Sequence, residues 1–330
     1  MSYTVLNITQ EGKQQDITQI VTGLSWGGDV REAARKLSLS FVYGGDDYTP
    51  KYKPPAGSLV VLLNDQGAEL FRGIVWEPEI TRGVGSITCF DHAIYLTHNK
   101  TTYKFVNMTP EAMIKKICDD FGIQAGSIVA TSITLSKLIL REQLLWDMIV
   151  IILTEAGKRT GKKYRAVMKQ GKLTVEEVGK QKQRWVIAEG SNLINATYRE
   201  SLEDMRNRVV IVGDKDQVLA DLRNDSLIKQ YGMLQEYKRE SNIKAAEAQV
   251  IAKNLLAELG RLSQEWEIEA LGIDDVEAGQ MIEVLEPGTG IVGQYYVLSD
   301  DHRVSNGIHT MRLALDLQAV VATKEASENE

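Results

Sequence analysis

The segment Ala56-Gly57-Ser58-Leu59-Val60-Val61-Leu62-Leu63 has a counterpart near the other end of the chain, Ala278-Gly279-Gln280-Met281-Ile282-Glu283-Val284-Leu285. In both copies an Ala-Gly turn leads into an apolar run of strand length. The two copies lie 222 residues apart in the sequence. The pattern therefore predicts the same turn and strand twice, in distant parts of the chain.

The neighbours of the two copies fall in the same order. An alternating strand pattern precedes them, at 36–41 and at 265–270, and another strand pattern follows, at 71–77 and at 295–300. Each series then closes on a strand that ends in aspartate. This order favours a duplicated β-domain, and a chance resemblance between ordinary strand and turn patterns is the alternative.

The middle of the chain, residues 104–185, has a different pattern. Thr109-Pro110-Glu111 combines a capping hydroxyl with proline at the first helical position, and an apolar helical stripe follows. Residues 141–155 predict a second helix, and strands at 164–168 and 172–178 predict a hairpin. The pattern indicates a compact helix–helix–hairpin domain.

Strand patterns return after this insert, at 194–199, 207–213 and 227–231. One helix rich in Ala and Leu is predicted at about 242–259, before the second copy of the repeated segment. The polar end of the chain, 323–330, predicts a flexible tail.

The predicted fold class is therefore mainly β with an α/β insert, an α+β arrangement. Two related tube-like β-barrel domains, 1–103 and 186–330, flank the small basic domain 104–185. A chain of 330 residues is long enough for two or three such domains.

The net charge of −7 is unevenly distributed along the chain. It is −2 over residues 1–100, +7 over 101–185 and −12 over 186–330. Such segregation predicts modules with unlike surfaces.

Cysteine usage and apolar runs bear on the compartment. Cys89 and Cys118 both fall in apolar patterns, which excludes a disulfide framework and predicts synthesis in a reducing cytoplasm. The start of the chain has no signal-peptide pattern. The most apolar run, 148–153, is far shorter than a membrane helix, so no membrane partner is expected.

Two glycine motifs resemble nucleotide-binding loops but lack the required context. Residues 288–293 match GxGxxG, yet a strand follows where a pyrophosphate site needs a helix, so a β-turn is predicted. Residues 157–163 carry lysine without a following Ser or Thr, and they leave a helix where a phosphate loop leaves a strand. Neither motif predicts a cofactor.

The histidines also predict no chemistry. His92, His98, His302 and His309 lack a metal-ligand spacing such as HExxH, and no GxSxG nucleophile elbow is present. We expect them at the surface or at strand ends. No catalytic, cofactor-binding or metal-binding residue is therefore predicted.

The stretch 157–184 is dense in Lys and Arg, with Tyr164 and Trp185 nearby. Basic charge with aromatic rings can bind nucleic acid through phosphate contacts and stacking. A solvated face, or a face opposite an acidic protein, is the preferred interpretation. No specific nucleic-acid binding is expected.

Several stretches carry a resemblance to a known family: Phe90-Asp91-His92-Ala93-Ile94-Tyr95-Leu96 with Asn99-Lys100, Arg206-Asn207-Arg208-Val209-Val210-Ile211-Val212-Gly213, Tyr231-Gly232-Met233-Leu234-Gln235, the Ala-rich helix before 267–272, and the closing stretch 302–315 with Gly307-Ile308-His309-Thr310-Met311. In this order, over about residues 1–320, the chain resembles the XkdQ/YqbQ-type baseplate hub proteins of contractile tails. Such tails occur in phages, defective prophages and phage-tail-like bacteriocins. The order and completeness of the stretches carry the resemblance.

The resemblance implies a homotrimer similar to the hubs of T-even phages and of VgrG proteins. Two tube-like domains per chain would let three chains form a pseudo-sixfold ring. The implied partners are the tail tube or a tube-initiator protein, the central spike, wedge components and the tape-measure protein. The implied role is structural and non-enzymatic, in the baseplate of a virion tail or tail-like particle.

Two other functions stay open at this point. One is a tail-associated cell-wall hydrolase, although the three predicted domains leave no residues for a separate enzyme. The other is a nucleic-acid or cell-wall binding module that uses the basic insert.

Overall fold

The computed structural model describes residues 3–44, 51–179, 185–241 and 243–326. By contacts between residues the chain divides into two compact units, Met1–Ala196 with Glu267–Glu330, and Thr197–Trp266. The three domains predicted from the sequence divide the chain differently, and they stay a prediction.

The strands that belong wholly or partly to the first unit are β1 (Thr4–Ile8), β2 (Gln14–Asp16), β3 (Val21–Asp29), β4 (Lys36–Val42), β5 (Leu59–Leu63), β6 (Glu69–Thr81), β7 (Val84–Phe90), β8 (Lys100–Met108), β9 (Ala125–Ile128), β10 (Leu135–Leu144), β11 (Tyr164–Lys169), β12 (Lys172–Glu177), β13 (Trp185–Ala188), β14 (Leu193–Ser201), β18 (Ser263–Leu271), β19 (Met281–Glu286), β20 (Ile291–Ser305) and β21 (Ile308–Asp316). Its helices are α1 (Pro110–Asp120) and α2 (Leu145–Thr160), with 3-10 turns at Thr18–Ile20 and His92–Thr97. The second unit holds β15 (Arg208–Val212), β16 (Val218–Arg223), β17 (Gln235–Arg239), α3 (Asp225–Tyr231) and α4 (Ala245–Leu259).

The strands form where apolar and polar residues alternate. In β4, Leu37, Leu39 and Phe41 are buried while the serines between them are only half-buried. Side chains of a strand point alternately to its two faces, so one face of β4 contributes to the core and the other does not. The mainly β character predicted from such patterns is confirmed.

One strand order occurs twice in the large sheet. In the first copy the neighbours run β3-β4-β7-β6-β5-β1, and in the second they run β14-β18-β21-β20-β19-β13. The long strand β20 joins the copies, because its first half pairs with β19 and its second half pairs with β3. The sequence repeat thus coincides with a structural repeat whose copies are joined edge to edge.

The repeated glycine turn makes the same backbone hydrogen bonds in both copies. The N–H of Gly57 donates to the carbonyl of Val75 (2.8 Å), and the N–H of Gly279 donates to the carbonyl of Val297 (2.7 Å). In return, each valine N–H donates to the carbonyl of the residue after the glycine, at 2.8 Å in both copies. Both glycines have positive φ, +80° and +86°, which explains why the turn requires glycine.

A β-bulge follows at the same place in each copy. It lies between Val75 and Glu77 in β6 and between Val297 and Ser299 in β20. Beyond the bulge, the hairpin of β20 and β21 is two residues longer in each strand than that of β6 and β7. Because of these extra residues, equivalent positions of the two copies are 222 residues apart before the hairpin (Glu77 and Ser299) and 226 apart after it (Thr88 and Ala314).

The insert packs around α2, which is buried on nearly every side. The helix starts at Leu145, so the predicted start at 141 is wrong. The physical reason is that the preceding residues still pair in β10 with β8, where Gln143 lies opposite Thr101. The first helix begins at Pro110 after the Thr109 cap, as the sequence predicts.

In the second unit, the predicted strand at 227–231 is wrong, because these residues lie in α3. The side chain of Asn224 accepts the N–H of Leu227 and caps this short helix. Gly232, with φ of +81°, follows its last residue. The second helix of this unit, α4, begins at Ala245, and position 242 of its predicted start lies outside the described residues.

Strands in the described residues form open sheets, and none of these sheets closes on itself. The barrel part of the predicted fold class is therefore not confirmed. The two copies also differ at one edge, because β1 runs antiparallel to β5 whereas β13 runs parallel to β19.

Replacement of the repeated glycine tests the turn. We expect Gly57→Ala to lower the free energy of unfolding by about 1–2 kcal/mol, because alanine in the left-handed region is strained. Gly23→Ala is the matched control, since an added Cβ there meets Ser40 at an ordinary 3.9 Å. Urea unfolding followed by circular dichroism measures both variants, and equal midpoints would contradict the assignment.

Candidate functional site at the joint of the two sheets

The joint is the antiparallel ladder that connects the two copies, formed by residues 24–29 of β3 and 299–304 of β20. In its register His302 lies opposite Trp26, and Asp300 lies opposite Gly28. The ladder continues past the strand end, where the N–H of Val30 donates to the carbonyl of Leu298 (2.9 Å). The joint therefore combines backbone pairing with buried polar side chains.

A buried ion pair crosses the joint. The two guanidinium nitrogens of Arg35 donate to the two carboxylate oxygens of Asp300, at 2.8 and 2.6 Å. The Asp300 side chain is fully buried, and it also accepts the N–H of Ala278 (2.7 Å). A buried carboxylate needs such partners, because taking it out of water without them is very costly.

A second carboxylate stands beside this pair. Asp91 accepts the backbone N–H groups of Arg35 (3.1 Å) and Ala93 (2.9 Å). Burial raises the pKa of Asp91 to about 7, and those two hydrogen bonds oppose the rise. Asp91 thereby caps the 3-10 turn at His92–Thr97 and fixes the backbone from which Arg35 reaches Asp300.

Glycine in β3 makes room for this arrangement. A Cβ on Gly27 would lie 2.0 Å from the carbonyl oxygen of Asp300, and a Cβ on Gly28 would lie 2.8 Å from Cγ of Arg35. The close approach of β20 therefore requires glycine at position 27, and the path of the Arg35 side chain favours glycine at position 28.

A row of polar contacts runs next to the ion pair. It joins the carbonyl of Val276 to Nε2 of His302 (2.8 Å), Nδ1 of His302 to Nε2 of His309 (2.9 Å), Nδ1 of His309 to the hydroxyl of Tyr3 (2.8 Å), and that hydroxyl to Oδ1 of Asp274 (2.9 Å). Each contact needs one hydrogen, whereas two neutral imidazoles and one phenol supply three. With neutral histidines, one of the four contacts is therefore left without a hydrogen.

Aromatic packing encloses the row. The Trp26 ring stacks on His302 with centroids 4.9 Å apart, and Tyr3 meets Trp26 edge to face at 5.5 Å. Burial lowers the pKa of His302, and it lowers the pKa of His309 to about 4. Both histidines are buried, so neither lies at the surface. The expectation of a surface or strand-end position is wrong for His302, which lies within β20, whereas His309 lies at the start of β21.

The other two histidines lie elsewhere in the first unit. His92 is in the 3-10 turn, and burial lowers its pKa. His98 ends that turn, and its ring lies 5.0 Å from the ring of Trp76. The structure brings together His302 and His309 only.

Trp76 is the centre of an exposed aromatic patch that we define as Trp76, Phe90, Tyr95 and His98. The rings of Tyr95 and Phe90 lie 6.1 and 6.5 Å from that of Trp76. Trp76 is 37% exposed and Tyr95 is 38% exposed. No sequence pattern singled out this patch, although Phe90 and Tyr95 belong to a stretch that carries the family resemblance.

The rejected glycine motifs occupy ordinary structural positions. Residues 288–290 form the turn between β19 and β20, where the carboxylate of Glu286 accepts the N–H groups of Gly288 (2.7 Å) and Thr289 (2.8 Å). Gly161 ends α2 with φ of +70°. A carboxylate fills the place where an anion-binding loop would hold phosphate.

Cations of the basic stretch are paired with carboxylates of the same unit. Lys162 lies 3.1 Å from Glu177, and Lys169 lies 2.6 Å from Glu176, which Arg165 also contacts at 2.5 Å. Pairing of these three cations favours the interpretation of a solvated face. Residues 180–184 of this stretch lie outside the described residues.

Metal-ligating side chains are not clustered in the part of the chain that the structure describes. It contains no group of three or more His, Cys, Asp or Glu side chains placed to hold a metal ion. Cys89 and Cys118 are buried and unpaired with each other. In the same residues, each helix is too short or too polar to span a bilayer.

Solved structures with this fold are tail proteins and related complexes. The 43 kDa tail protein of prophage MuSo2 from Shewanella oneidensis matches with a TM-score of 0.69 at 14% identity, over 94% of this chain and 97% of that chain. A Francisella PdpA–VgrG complex matches with a TM-score of 0.56 at 10% identity, over 99% of this chain and 54% of that chain. The fold is that of phage tail and VgrG-related proteins.

Sequence comparison identifies the family. The YQBQ-like family model matches residues 24–316, and the chain belongs to that family. The protein XkdQ of the phage-like element PBSX of Bacillus subtilis (strain 168) is 29% identical over 299 residues, 89% of this chain and 91% of its own. YqbQ of the same organism is 29% identical over 307 residues, 91% of this chain and 94% of its own. The XkdQ/YqbQ resemblance seen in the sequence is confirmed.

Removal of the buried carboxylate tests the ion pair. We expect Asp300→Asn to lower the free energy of unfolding by about 3–5 kcal/mol, because it leaves the Arg35 charge without its partner. Asp301→Asn is the matched control on the adjacent residue, where an exposed pair with Arg303 at 4.0 Å contributes less than about 1 kcal/mol. Thermal unfolding of both variants makes the comparison, and similar melting temperatures would refute the assigned role of Asp300.

Acid destabilisation tests the histidine row. Because the folded-state pKa values of His302 and His309 are lowered, the unfolded chain binds more protons as pH falls below about 6.5. Stability is therefore expected to fall between about pH 6.5 and pH 4, by up to about 1.4 kcal/mol per pH unit for each histidine. Urea midpoints from pH 7 to pH 4.5 should fall less steeply in the double variant His302→Asn/His309→Gln. Identical slopes would count against buried neutral histidines.

Proposed function

We propose that the chain is a structural hub subunit of a contractile phage-type tail, which joins the tail tube to the central spike. One observation carries the proposal: a single strand order occurs twice in one chain, and the copies are joined edge to edge by β20 and β3. A chain with two similar modules lets three subunits present six similar surfaces. The family membership and the tail-protein fold support the same role.

In this proposal three chains form a pseudo-sixfold ring, in which the open sheets serve as the tube-like domains. The ring meets the tail tube or a tube-initiator protein on one side and the spike on the other. Wedge components and the tape-measure protein are the further partners. The subunit is made in the bacterial cytoplasm and resides in the baseplate of a virion tail or tail-like particle.

The proposed hub acts by geometry, without a chemical step. Exposed strand edges are templates for pairing, so a ring that pairs every module edge removes that hazard while it fixes the ring diameter. A permanent contact of this kind typically buries about 2,000 Å² or more. The proposal therefore excludes cell-wall hydrolysis as the function of this chain.

Deletion and labelling test the proposed hub. Without the chain we expect no assembled tails by negative-stain electron microscopy, and expression in trans should restore them. A gold-labelled antibody against an epitope tag at the end of the chain should mark only the baseplate end of restored tails. Label along the tube, or normal tails in the deletion strain, would overturn the proposal. Clearing of cell walls in a zymogram by the purified chain would favour the hydrolase instead.

A further inference from the structure

β6 and β20 occupy the same place in the two copies but differ in their neighbours. From Ser299 to Val304, β20 pairs with β21 on one side and with β3 on the other. From Glu77 to Thr81, β6 pairs with β7 on one side. In the described parts of the chain, no strand pairs with the other side of this segment, which we call the β6 edge.

The counterpart of β3 in the second copy is β14, and it is also an edge strand. It pairs with β18 on one side, and its other side meets no strand among the residues that the structure describes. Within the chain, β20 of the second copy pairs with β3 of the first copy. The corresponding strands, β6 of the first copy and β14 of the second, do not pair with each other.

We propose that the β6 edge of one chain pairs with β14 of a second copy of this chain, in the manner of β20 and β3. This inference rests on the proposed ring and specifies its subunit contact. Pairings within a chain and between chains then alternate around the ring, and all six modules meet through the same kind of edge. Such a contact is heterologous, because two different surfaces meet. It closes into a ring of three chains when each chain is rotated by about 120° relative to the previous one.

The register of β6 follows from the shared bulge. Ser299 follows the bulge in β20 and Glu77 follows it in β6, so Arg303 corresponds to Thr81. Within the chain Arg303 lies opposite Ser25 of β3. Thr81 should therefore face the β14 residue that corresponds to Ser25.

The register of β14 follows from two backbone hydrogen bonds. The N–H of Leu271 donates to the carbonyl of Asn192, and the N–H of Gly272 donates to the carbonyl of His309, each at 2.8 Å. With both ladders taken as antiparallel and free of bulges, as in the first copy, counting from these bonds places Ala196 in β14 where Ser25 lies in β3. The inferred contact therefore sets Thr81 of one chain opposite Ala196 of the next.

The aromatic patch lies where this contact begins. Trp76 immediately precedes the β6 edge, and its counterpart in β20 is Leu298. Leu298 accepts the backbone N–H of Val30, the residue after β3, and among the described residues no strand takes the place of β3 beside Trp76. Exposed Trp and Tyr side chains are enriched where protein interfaces have their energetic centre.

Two features weaken strand pairing at the β6 edge, and the second acts on the inferred contact itself. Pro78 stands where Asp300 stands in β20, and it has no N–H to donate. Glu77 would face Glu200 of β14, a like-charge pair that disfavours pairing. A native edge blunted in this way avoids pairing with chance strands, so it fits a contact that forms inside an assembly with further support.

A cysteine pair tests the inferred register in tails assembled with all other tail proteins. The variant Thr81→Cys/Ala196→Cys should give a closed covalent trimer on a non-reducing gel, because each chain then supplies both halves of the bond. Thr81→Cys/Asn195→Cys is the matched control, since adjacent strand residues point to opposite faces and should not be linked. Cys89 and Cys118 are buried and stay in place in both variants.

The outcomes separate this inference from the proposed function. Cross-linking through position 196 and not 195 supports the register. Normal tails without the covalent trimer, or equal cross-linking of both variants, overturn the β6–β14 contact and leave the hub standing. Tails that lack the chain altogether overturn both.

A second variant keeps the inference testable if the cysteine pair hinders assembly. Trp76→Ala should lower the yield of assembled tails at least tenfold while the melting temperature of the purified chain stays within about 2 °C of wild type, since Trp76 is partly exposed. Tails at wild-type yield would overturn the contact.

Discussion

The pairing of β3 with β20 is the constraint on which the arrangement of the two copies depends, and the Arg35–Asp300 pair holds it in place. A fully buried carboxylate dictates its surroundings, since it must have a charged partner and further donors. The Arg35 side chain passes beside Gly28, and Gly27 leaves room for the backbone of Asp300 to approach β3. Residues from both copies thus fix the register of β3 against β20. A shift of one residue would separate Arg35 from Asp300 and leave a buried charge without its partner.

The repeated turn was predictable from sequence because its requirements are local. Gly57 and Gly279 need positive φ, and each leads directly into an apolar strand, so both signals lie within eight residues. β3 was not predicted, since its Gly27-Gly28 pair argues against a strand until the approach of β20, more than 270 residues away in sequence, is known. The helix α3 was missed for a different reason, because its signal is local: the Asn224 cap stands three residues before Leu227 and outweighs a short apolar run.

The histidines show a signal that was present and not used. His309 lies on the same face of β21 as Met311, Leu313 and Leu315, because they are alternate residues of one strand. All four side chains are buried. Alternation alone therefore places His309 on the core face, whereas a search for metal-ligand spacing directs attention to the surface. Alternation does not identify the residues that contact His309, because Tyr3 and Trp26 come from the opposite end of the chain.

The differences between the copies bear on the proposed ring as much as their similarity does. The turn, the bulge and the strand order agree, and these features set how one module meets the next. The outer edge differs, since β1 is antiparallel and β13 is parallel to its neighbour, and the hairpin of β20 and β21 is longer. In a ring of three chains the shared features would repeat six times and the distinct ones three times. Such a ring would combine sixfold and threefold symmetry. The contacts between strands of neighbouring modules would be nearly sixfold. Contacts made by β1 or β13 and by the tips of the hairpins would be threefold.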